Sequence, residues 1–425
     1  MRYTLVCIGS TGDVRPYMLL GRELQSRGHD VGICAFTDFK EMIEAEGMRF
    51  LPLSGDIREI MGKIMKPGVN GISYLNQVRV SLRQMKWPFL AQLEAACKDA
   101  EVIVSTYFAE IVPSIAEMHR VPFIQTHYYP MDINDITPIS AAPGQRAGKA
   151  WNRLTYPVAY LIISAMELLY LSDWREAHGM RPRKLSSRPH DLINGHRVPV
   201  LYAMSPLLMA RPPTWREHIH MTGFWLNDEK REYAPDPKLE AFLLKGSKPV
   251  YIGFGSMTSG DMGETLEIVL EAIAMSGVRA VLATGWGDVA IPKQKNIFPV
   301  DYVPHSWLFD RVAAVVHHGG AGTTAAGVLA GKPTLVIPFG GDQPFWAMRV
   351  RMLGLGPTPI RREKLTAARL AKALRNLISV KSYSVAAKEL GGRMRLENGV
   401  ATAADIIEHE VRKWQREDGK WSSRK

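Results

Sequence analysis

The chain has 425 residues, 46% of them hydrophobic and 22% charged, so it is globular in composition and long enough to call for two domains rather than one. Lys plus Arg outnumber Asp plus Glu by 53 to 42, a formal net charge of +11. The basic residues lie scattered in short groups such as Arg181-Pro182-Arg183-Lys184 and Arg361-Arg362, with no recognition motif beside them, which argues against a nucleic-acid partner. The excess reads as solvated surface, or as attraction toward an anionic membrane surface or an anionic small molecule.

Met1-Arg2 leads into an apolar run, Tyr3 to Gly9, that reads as a first strand and not as a signal peptide. The loop Gly9-Ser10-Thr11-Gly12-Asp13 follows; it lacks the GxGxxG spacing of a dinucleotide fingerprint. Leu19, Leu20 and Leu24 give helical spacing from Pro16 to Arg27, stopped by Gly28. Val31 to Phe36 is a strand, Asp38 to Glu46 a helix, and Val102–Ser105 and Val121–Gln125 are further strands. This alternation predicts a doubly wound α/β sheet. The stretches 60–95 and 130–195 are longer and richer in Met and aromatics; they read as pocket-shaping insertions or as packing helices. Within them Tyr156 to Leu171 is the longest apolar run, but it contains Glu167 and is short for a membrane span. A buried or half-buried helix is the expectation, and a face that touches a bilayer or an apolar acceptor is the alternative.

A proline-bearing polar segment, Leu226 to Pro237, predicts a linker, after which Val250–Phe254, Ala280–Thr284, Ile297–Tyr302 and Val312–Val316 repeat the strand pattern. The expected division is an N-terminal domain over 1–228, a linker over 229–246, a C-terminal domain over 247–400, and a closing helix with tail over 401–425. Cys7, Cys34 and Cys97 are odd in number and widely spaced, without a CxxC pair, so buried free thiols and a reducing, cytoplasmic setting are expected.

The most informative run is Val315 to Val350. The strand Val312–Val316 meets a glycine-dense turn, His317-His318-Gly319-Gly320-Ala321-Gly322-Thr323-Thr324, and then a helix-like Ala325–Ala330. Amides at a helix start point outward, the helix dipole favours negative charge there, and glycines let a phosphate approach the backbone. Thr323 and Thr324 are candidate hydroxyl donors. The strand Thr334–Pro338 then leads to Asp342-Gln343, an acid and an amide able to read hydroxyl groups. A diphosphate grip followed by such a pair suits a nucleotide-sugar site.

This run resembles the donor-binding signature of the family-1 glycosyltransferases, which have the GT-B fold of two Rossmann-like domains facing across a cleft. Within that family it looks most like the sterol glucosyltransferase and bacterial natural-product or lipid glycosyltransferase branch. Gly9-Ser10-Thr11-Gly12-Asp13-Val14-Arg15-Pro16, Ile252-Gly253-Phe254-Gly255-Ser256-Met257 and Val303-Pro304-His305-Ser306-Trp307-Leu308-Phe309 carry the resemblance as well, in matching order. It implies an acceptor-binding N-terminal domain, a donor-binding C-terminal domain, and a last helix that packs back on the first domain.

For chemistry, the resemblance implies an inverting in-line transfer from a UDP-sugar, with Asp13 as the base that takes the acceptor's proton. Read without the resemblance, Asp13 caps the following helix. His318 aligns with the histidine that contacts the diphosphate in relatives. Amides from Gly320 through Thr324, with Ala321, Gly322 and Thr323 between, would hold the leaving group beside Gly255 and Ser256. Ser10, Thr11 and Gly12 would approach the donor, Tyr302 and Val303 would meet the base, and Asp342 and Gln343 would hold sugar hydroxyls. No Asp-x-Asp or His/Glu cluster stands out, so neither a metal nor another cofactor is expected. The implied reaction joins a hexose from UDP-glucose to a hydroxyl of an apolar acceptor, a sterol or terpenoid first and a glycolipid or polyketide second. Peripheral membrane contact accompanies that reading. A nucleotide-sugar epimerase or a non-catalytic binder of the same architecture is the alternative; the binder would be expected to have lost Asp13 or His318.

Overall fold

The computed structural model describes residues 1–55, 88–106, 111–139, 147–186, 190–226, 233–255, 262–283 and 294–419, with the single positions 142 and 291. Ser256 and most of the 60–95 insertion lie outside the described residues.

Two wholly parallel sheets organise the chain. The first contains β1 (Arg2–Val6), β2 (Asp30–Phe36), β3 (Arg49–Leu53), β4 (Val102–Thr106), β5 (Phe123–His127), β8 (Val200–Tyr202) and β9 (Ile219–Met221), in the order β3-β2-β1-β4-β5-β8-β9. A short antiparallel pair, β6 (Leu192–Ile193) with β7 (His196–Arg197), stands apart. The second sheet contains β10 (Val250–Gly253), β11 (Ala280–Ala283), β12 (Ile297–Val300), β13 (Ala314–His317) and β14 (Thr334–Val336), in the order β12-β11-β10-β13-β14.

Parallel strands are covered on both faces, so nearly every residue in them is apolar, and alternate side chains enter different cores. Val250, Ile252, Ala280, Leu282, Ala314 and Val316 join the helices Met262–Ser276 and Ala367–Ser379 on one face. Tyr251, Val281 and Val315 enter the other, with Trp307, Leu308 and Phe309. Leu239 and Leu243 reach this second core from the helix Pro237–Leu244, so part of the segment read as linker is a packed element. Asp236 caps that helix, its side chain accepting from Lys238 N at 2.8 Å, and Pro237 occupies its first turn.

A third apolar cluster joins the halves. Tyr202, Met204, Leu208, Met209 and Trp215 pack with Val336, Phe345, Trp346, Leu390 and Met394. The helix Gly399–Asp418 crosses back to the first sheet, placing Ala403, Ala404, Ile407 and Val411 in the core that holds β1 and β2. Arg27 Nη1 meets Asp405 Oδ1 at 2.6 Å and His29 Nε2 meets Glu408 Oε1 at 3.0 Å beside that contact. Cys7, Cys34 and Cys97 are free and buried.

Two helix starts lie earlier than the sequence periodicity placed them. The first helix runs Thr11–Ser26 with Ser10 at its N-cap, so Pro16 sits inside the helix and Asp13, its third residue, caps it through a capping box with Ser10. The signature helix runs Ala321–Leu329. Both first turns are built from small residues that carry no apolar periodicity, which is why pattern reading begins such helices too late.

Candidate active site

Ligands in open parallel sheets collect beyond the carboxyl ends of the strands, where neighbouring strands lead off to opposite sides. In the first sheet that point lies between β1 and β4, and in the second between β10 and β13. The loop after β1 carries Gly9 to Asp13. The ends of β10 and β13 carry Gly255 and His318.

Asp13 is held from within its own turn. The Ser10 backbone N–H donates to Asp13 Oδ2 at 2.7 Å and the Ser10 hydroxyl donates to the same oxygen at 3.1 Å. Ser10, expected among the donor-binding residues, therefore has its hydroxyl committed to the carboxylate. Thr11 and Gly12 form the helix start, Gly12 being exposed. The Tyr128 hydroxyl donates to the Asp13 carbonyl at 3.1 Å, fixing the turn from β5. Burial raises the carboxyl pKa above its usual value, against the two Ser10 hydrogen bonds that lower it. A half-buried carboxylate of raised basicity at a strand end has the properties of a general base. Gly9, which sequence reading noted only as loop, is what admits it: a Cβ at residue 9 would lie 2.2 Å from Asp13 Oδ2.

His318 stands between two glycines. A Cβ on Gly255 would lie 2.8 Å from its Cε1 and one on Gly320 would lie 2.7 Å from its Nε2. Gly255 also has φ +64°, which a side chain would strain. Burial pushes the imidazole down to about 4, so it is neutral at pH 7, and its buried Nδ1 has no hydrogen-bond partner among the described residues. His317 points into the interior instead, its Nδ1 accepting from Gly319 N at 3.0 Å. Gly320 precedes the helix Ala321–Leu329, whose first amides, on Ala321, Gly322 and Thr323, have no carbonyl a turn behind them within the helix. Thr324 is buried and donates its hydroxyl to Gly320 O at 2.8 Å, so of the two threonines only Thr323 keeps a hydroxyl outside the helix's own bonding. Neutral imidazole, outward amides and the helix dipole together make a site for an anion.

Asp342 and Gln343 follow β14 at the start of the helix Gln343–Met352. Trp346 Nε1 donates to Asp342 Oδ2 at 2.9 Å. Burial pushes the Asp342 carboxyl up to about 7, and the charge of Asp13, from the other half, adds to the rise. Gln343 is buried; its Oε1 accepts from Phe339 N at 2.7 Å and from Gly340 N at 3.2 Å, so its carbonyl shapes the preceding loop. Val303 is buried in the second core, while Tyr302 is exposed with the Arg15 guanidinium carbon 4.9 Å from its ring centroid. That contact bridges the halves and was invisible in the sequence, where 287 positions separate the two residues. His305 stacks on Phe309 and is pushed down to about 4 by burial, helped by Arg15 and His318. Among the described residues no group of three or more His, Cys, Asp or Glu could hold a metal ion.

In the first half, Tyr202 at the end of β8 accepts from Met131 N at 2.9 Å and Asp132 N at 2.8 Å, and its hydroxyl donates to Asp132 Oδ2 at 2.7 Å. These bonds hold Met131 and Asp132 against the sheet.

The comparisons agree with this architecture at both ends. The glycosyltransferase family 28 N-terminal domain matches residues 3–138, and the C-terminal domain of the erythromycin biosynthesis protein CIII-like family matches residues 283–406. Sterol 3-beta-glucosyltransferase of Yarrowia lipolytica is 34% identical over 422 residues, covering 96% of this chain and 28% of the relative; that of Aspergillus oryzae is 33% identical, covering 96% and 30%. The chain thus spans about three tenths of the length of these curated relatives. Among solved structures, the kitacinnamycin glycosyltransferase superposes with a TM-score of 0.71 at 21% identity, covering 96% of this chain and 99% of that one. The calicheamicin glycosyltransferase CalG4 superposes with 0.69 at 18% identity, covering 98% of each. Two Rossmann-like halves, the sequence matches and the shared folds agree: the chain belongs to the family-1 glycosyltransferases of GT-B fold.

Proposed function

We propose that this chain transfers a hexose from UDP-glucose to the hydroxyl of an apolar acceptor, a sterol or related terpenoid, with inversion at the anomeric carbon and without a metal ion. The observation that carries the reading is the pair of strand-end sites: a half-buried Asp13 carboxylate held by Ser10 after β1, and the neutral His318 imidazole with the helix-start amides after β13. In the proposed step the acceptor oxygen bonds the anomeric carbon as its proton passes to Asp13. The bond from that carbon to the diphosphate breaks, and the electron pair leaves on UDP. Amides of Ala321, Gly322 and Thr323 and the imidazole of His318 would stabilise that charge without rearranging. Residues 1–228 would hold the acceptor and 247–400 the donor, with Tyr302 and the Val303 backbone at the base and Asp342 at the sugar. The setting proposed is the cytoplasm, at a membrane face from which an apolar acceptor is drawn; the curated relatives' names support the sterol.

A second reading, transfer to a natural-product hydroxyl, is favoured by the match of residues 283–406 to a macrolide-pathway domain. UDP release from UDP-glucose across sterols, macrolides, flavonoids and lipid hydroxyls decides between them. Turnover with sterols alone supports the first reading. Donor binding without turnover on any acceptor overturns the acceptor assignment, and absence of UDP-glucose binding overturns the donor assignment.

A further inference from the structure

The helix Lys149–Ala177 is inside out for a surface helix in water. Its buried face carries Asn152, Thr155, Tyr156, Tyr160, Ser164, Glu167 and Arg175, with Leu171 and Trp174 as the apolar residues toward its C-terminal end. Its outer face presents Leu154, Val158, Leu161, Ile162 and Leu169, each between 40% and 74% exposed. Their spacing of four, three, one and seven keeps them on one side of the helix. Surface helices place the apolar stripe inward, because each buried apolar side chain stabilises by roughly 1.5–3 kcal/mol.

The polar inner face is tied to the domain at several points. Tyr156 donates to Thr137 O at 3.0 Å, Asn152 to Asp135 O at 3.0 Å, and Arg175 to Glu117 Oε2 and Ser114 Oγ at 3.0 and 2.8 Å. A helix bound in this way along its length cannot leave the domain to cross a bilayer, although its composition would permit a span. It can only lie flat. From Leu154 to Leu169 the stripe runs about 22 Å at 1.5 Å per residue, a length that lies along an interface.

The rim gives the chemistry of the surface. Lys184 and Leu185, both exposed, lie beside the middle of the stripe, because Ser186 N donates to Ser164 Oγ at 3.0 Å. Lys149 and Arg153 are exposed at one end, each 3.6 Å from Asp135, and Arg181 is exposed near the other, where Asp173 and Glu176 are the acidic neighbours. Four cations thus border an apolar stripe in a chain of net charge +11.

We infer that this face is a docking surface for an anionic lipid bilayer, with Leu154, Val158, Leu161, Ile162, Leu169 and Leu185 immersed at the acyl boundary and Lys149, Arg153, Arg181 and Lys184 at the headgroups. The inference rests on the proposed apolar acceptor for its purpose, since a docked enzyme receives a membrane-dissolved acceptor by lateral diffusion. Its geometry does not depend on which acceptor is used.

The test is sedimentation of the full chain with phosphatidylcholine vesicles containing 0% or 30% phosphatidylserine, at low and high salt. The expected result is binding that rises with phosphatidylserine and weakens with salt. The triple variant Leu154→Ser, Leu161→Ser, Leu169→Ser should bind at least tenfold more weakly, and Arg153→Glu with Lys184→Glu should abolish the preference for phosphatidylserine. These side chains are exposed, so melting temperature and UDP affinity should not fall in either variant. Equal binding by the triple variant overturns the inference. So does a wild-type dimer that becomes monomeric in the triple variant, which assigns the stripe to a second copy. Turnover of a detergent-dispersed acceptor, measured in parallel, separates the two ideas: turnover without vesicle binding removes only the docking surface, and binding without turnover removes only the proposed reaction.

Discussion

Gly9→Ala tests the site most directly, because it removes no proposed functional group and acts only by displacing one. The glycine is not required by its own dihedral angles, since its φ is not in the left-handed region. It is required by space. The new methyl would lie 2.2 Å from Asp13 Oδ2, 2.5 Å from Cγ and 2.8 Å from Cβ, whereas ordinary contact begins at 3.4 Å. The deficit at Oδ2, 3.4 less 2.2, is about 1.2 Å, and the backbone of an N-terminal helical turn cannot supply it. The carboxylate must swing away, breaking its bonds to Ser10 N and Ser10 Oγ. One charge-assisted hydrogen bond contributes about 1.5–3 kcal/mol. Reduced freedom of the unfolded chain returns about 0.4–1 kcal/mol, so a net destabilisation of roughly 1–2 kcal/mol is expected. Catalysis should suffer more, because a base displaced by about 1 Å costs on the order of 100-fold in rate. The assay is kcat for UDP release alongside UDP affinity by calorimetry, on Gly9→Ala, Asp13→Ala and the double variant. kcat should fall about 100-fold in the first and further in the second, UDP affinity should hold within a few-fold, and the double variant should match Asp13→Ala alone. A Gly9→Ala enzyme with near-normal kcat, or a double variant slowed by the product of the two effects, would refute the link between Gly9 and Asp13.

Asp342→Asn should raise the melting temperature of the ligand-free protein at pH 8 and leave it unchanged near pH 4. The carboxyl is lifted from 3.8 to about 7, so its charged form is disfavoured in the fold; that cost is absent below pH 4, grows between 4 and 7, and is full above 7, with an upper bound of about 4 kcal/mol. An equal shift at both pH values would contradict it. His318→Ala should cost roughly 2.7–4 kcal/mol in transition-state stabilisation, by analogy with a lost oxyanion donor, and Gly320→Ala should mimic part of it by displacing the ring; a normal kcat in both would remove His318 from the leaving-group site. A double-mutant cycle of Arg15→Ala with Tyr302→Leu, read by urea unfolding, should give a coupling of about 0.5–1 kcal/mol. Additive single effects would mean that the pair does not hold the two halves together.

Much was legible in the chain itself. The strands β1, β2, β4, β10 and β13 follow from short apolar runs, because strands covered on both faces must be apolar throughout. The strand–turn–helix unit that holds His318 and Gly320, and the strand that leads to Asp342, were legible from the order of apolar runs and glycines. Helix starts at Thr11 and Ala321 were not, since the openings Thr11-Gly12-Asp13 and Ala321-Gly322-Thr323 show no apolar periodicity. The tertiary structure alone decided that Ser10 serves Asp13, that Gln343 closes a loop, and that Arg15 meets Tyr302 across the cleft. It also decided which side of the helix Lys149–Ala177 faces outward: the run expected as a buried or half-buried helix is half-buried, with Leu154, Val158, Leu161, Ile162 and Leu169 exposed. Periodicity states which residues share a face; which face turns inward depends on the polar groups waiting on the neighbouring elements, and those are brought there by the fold.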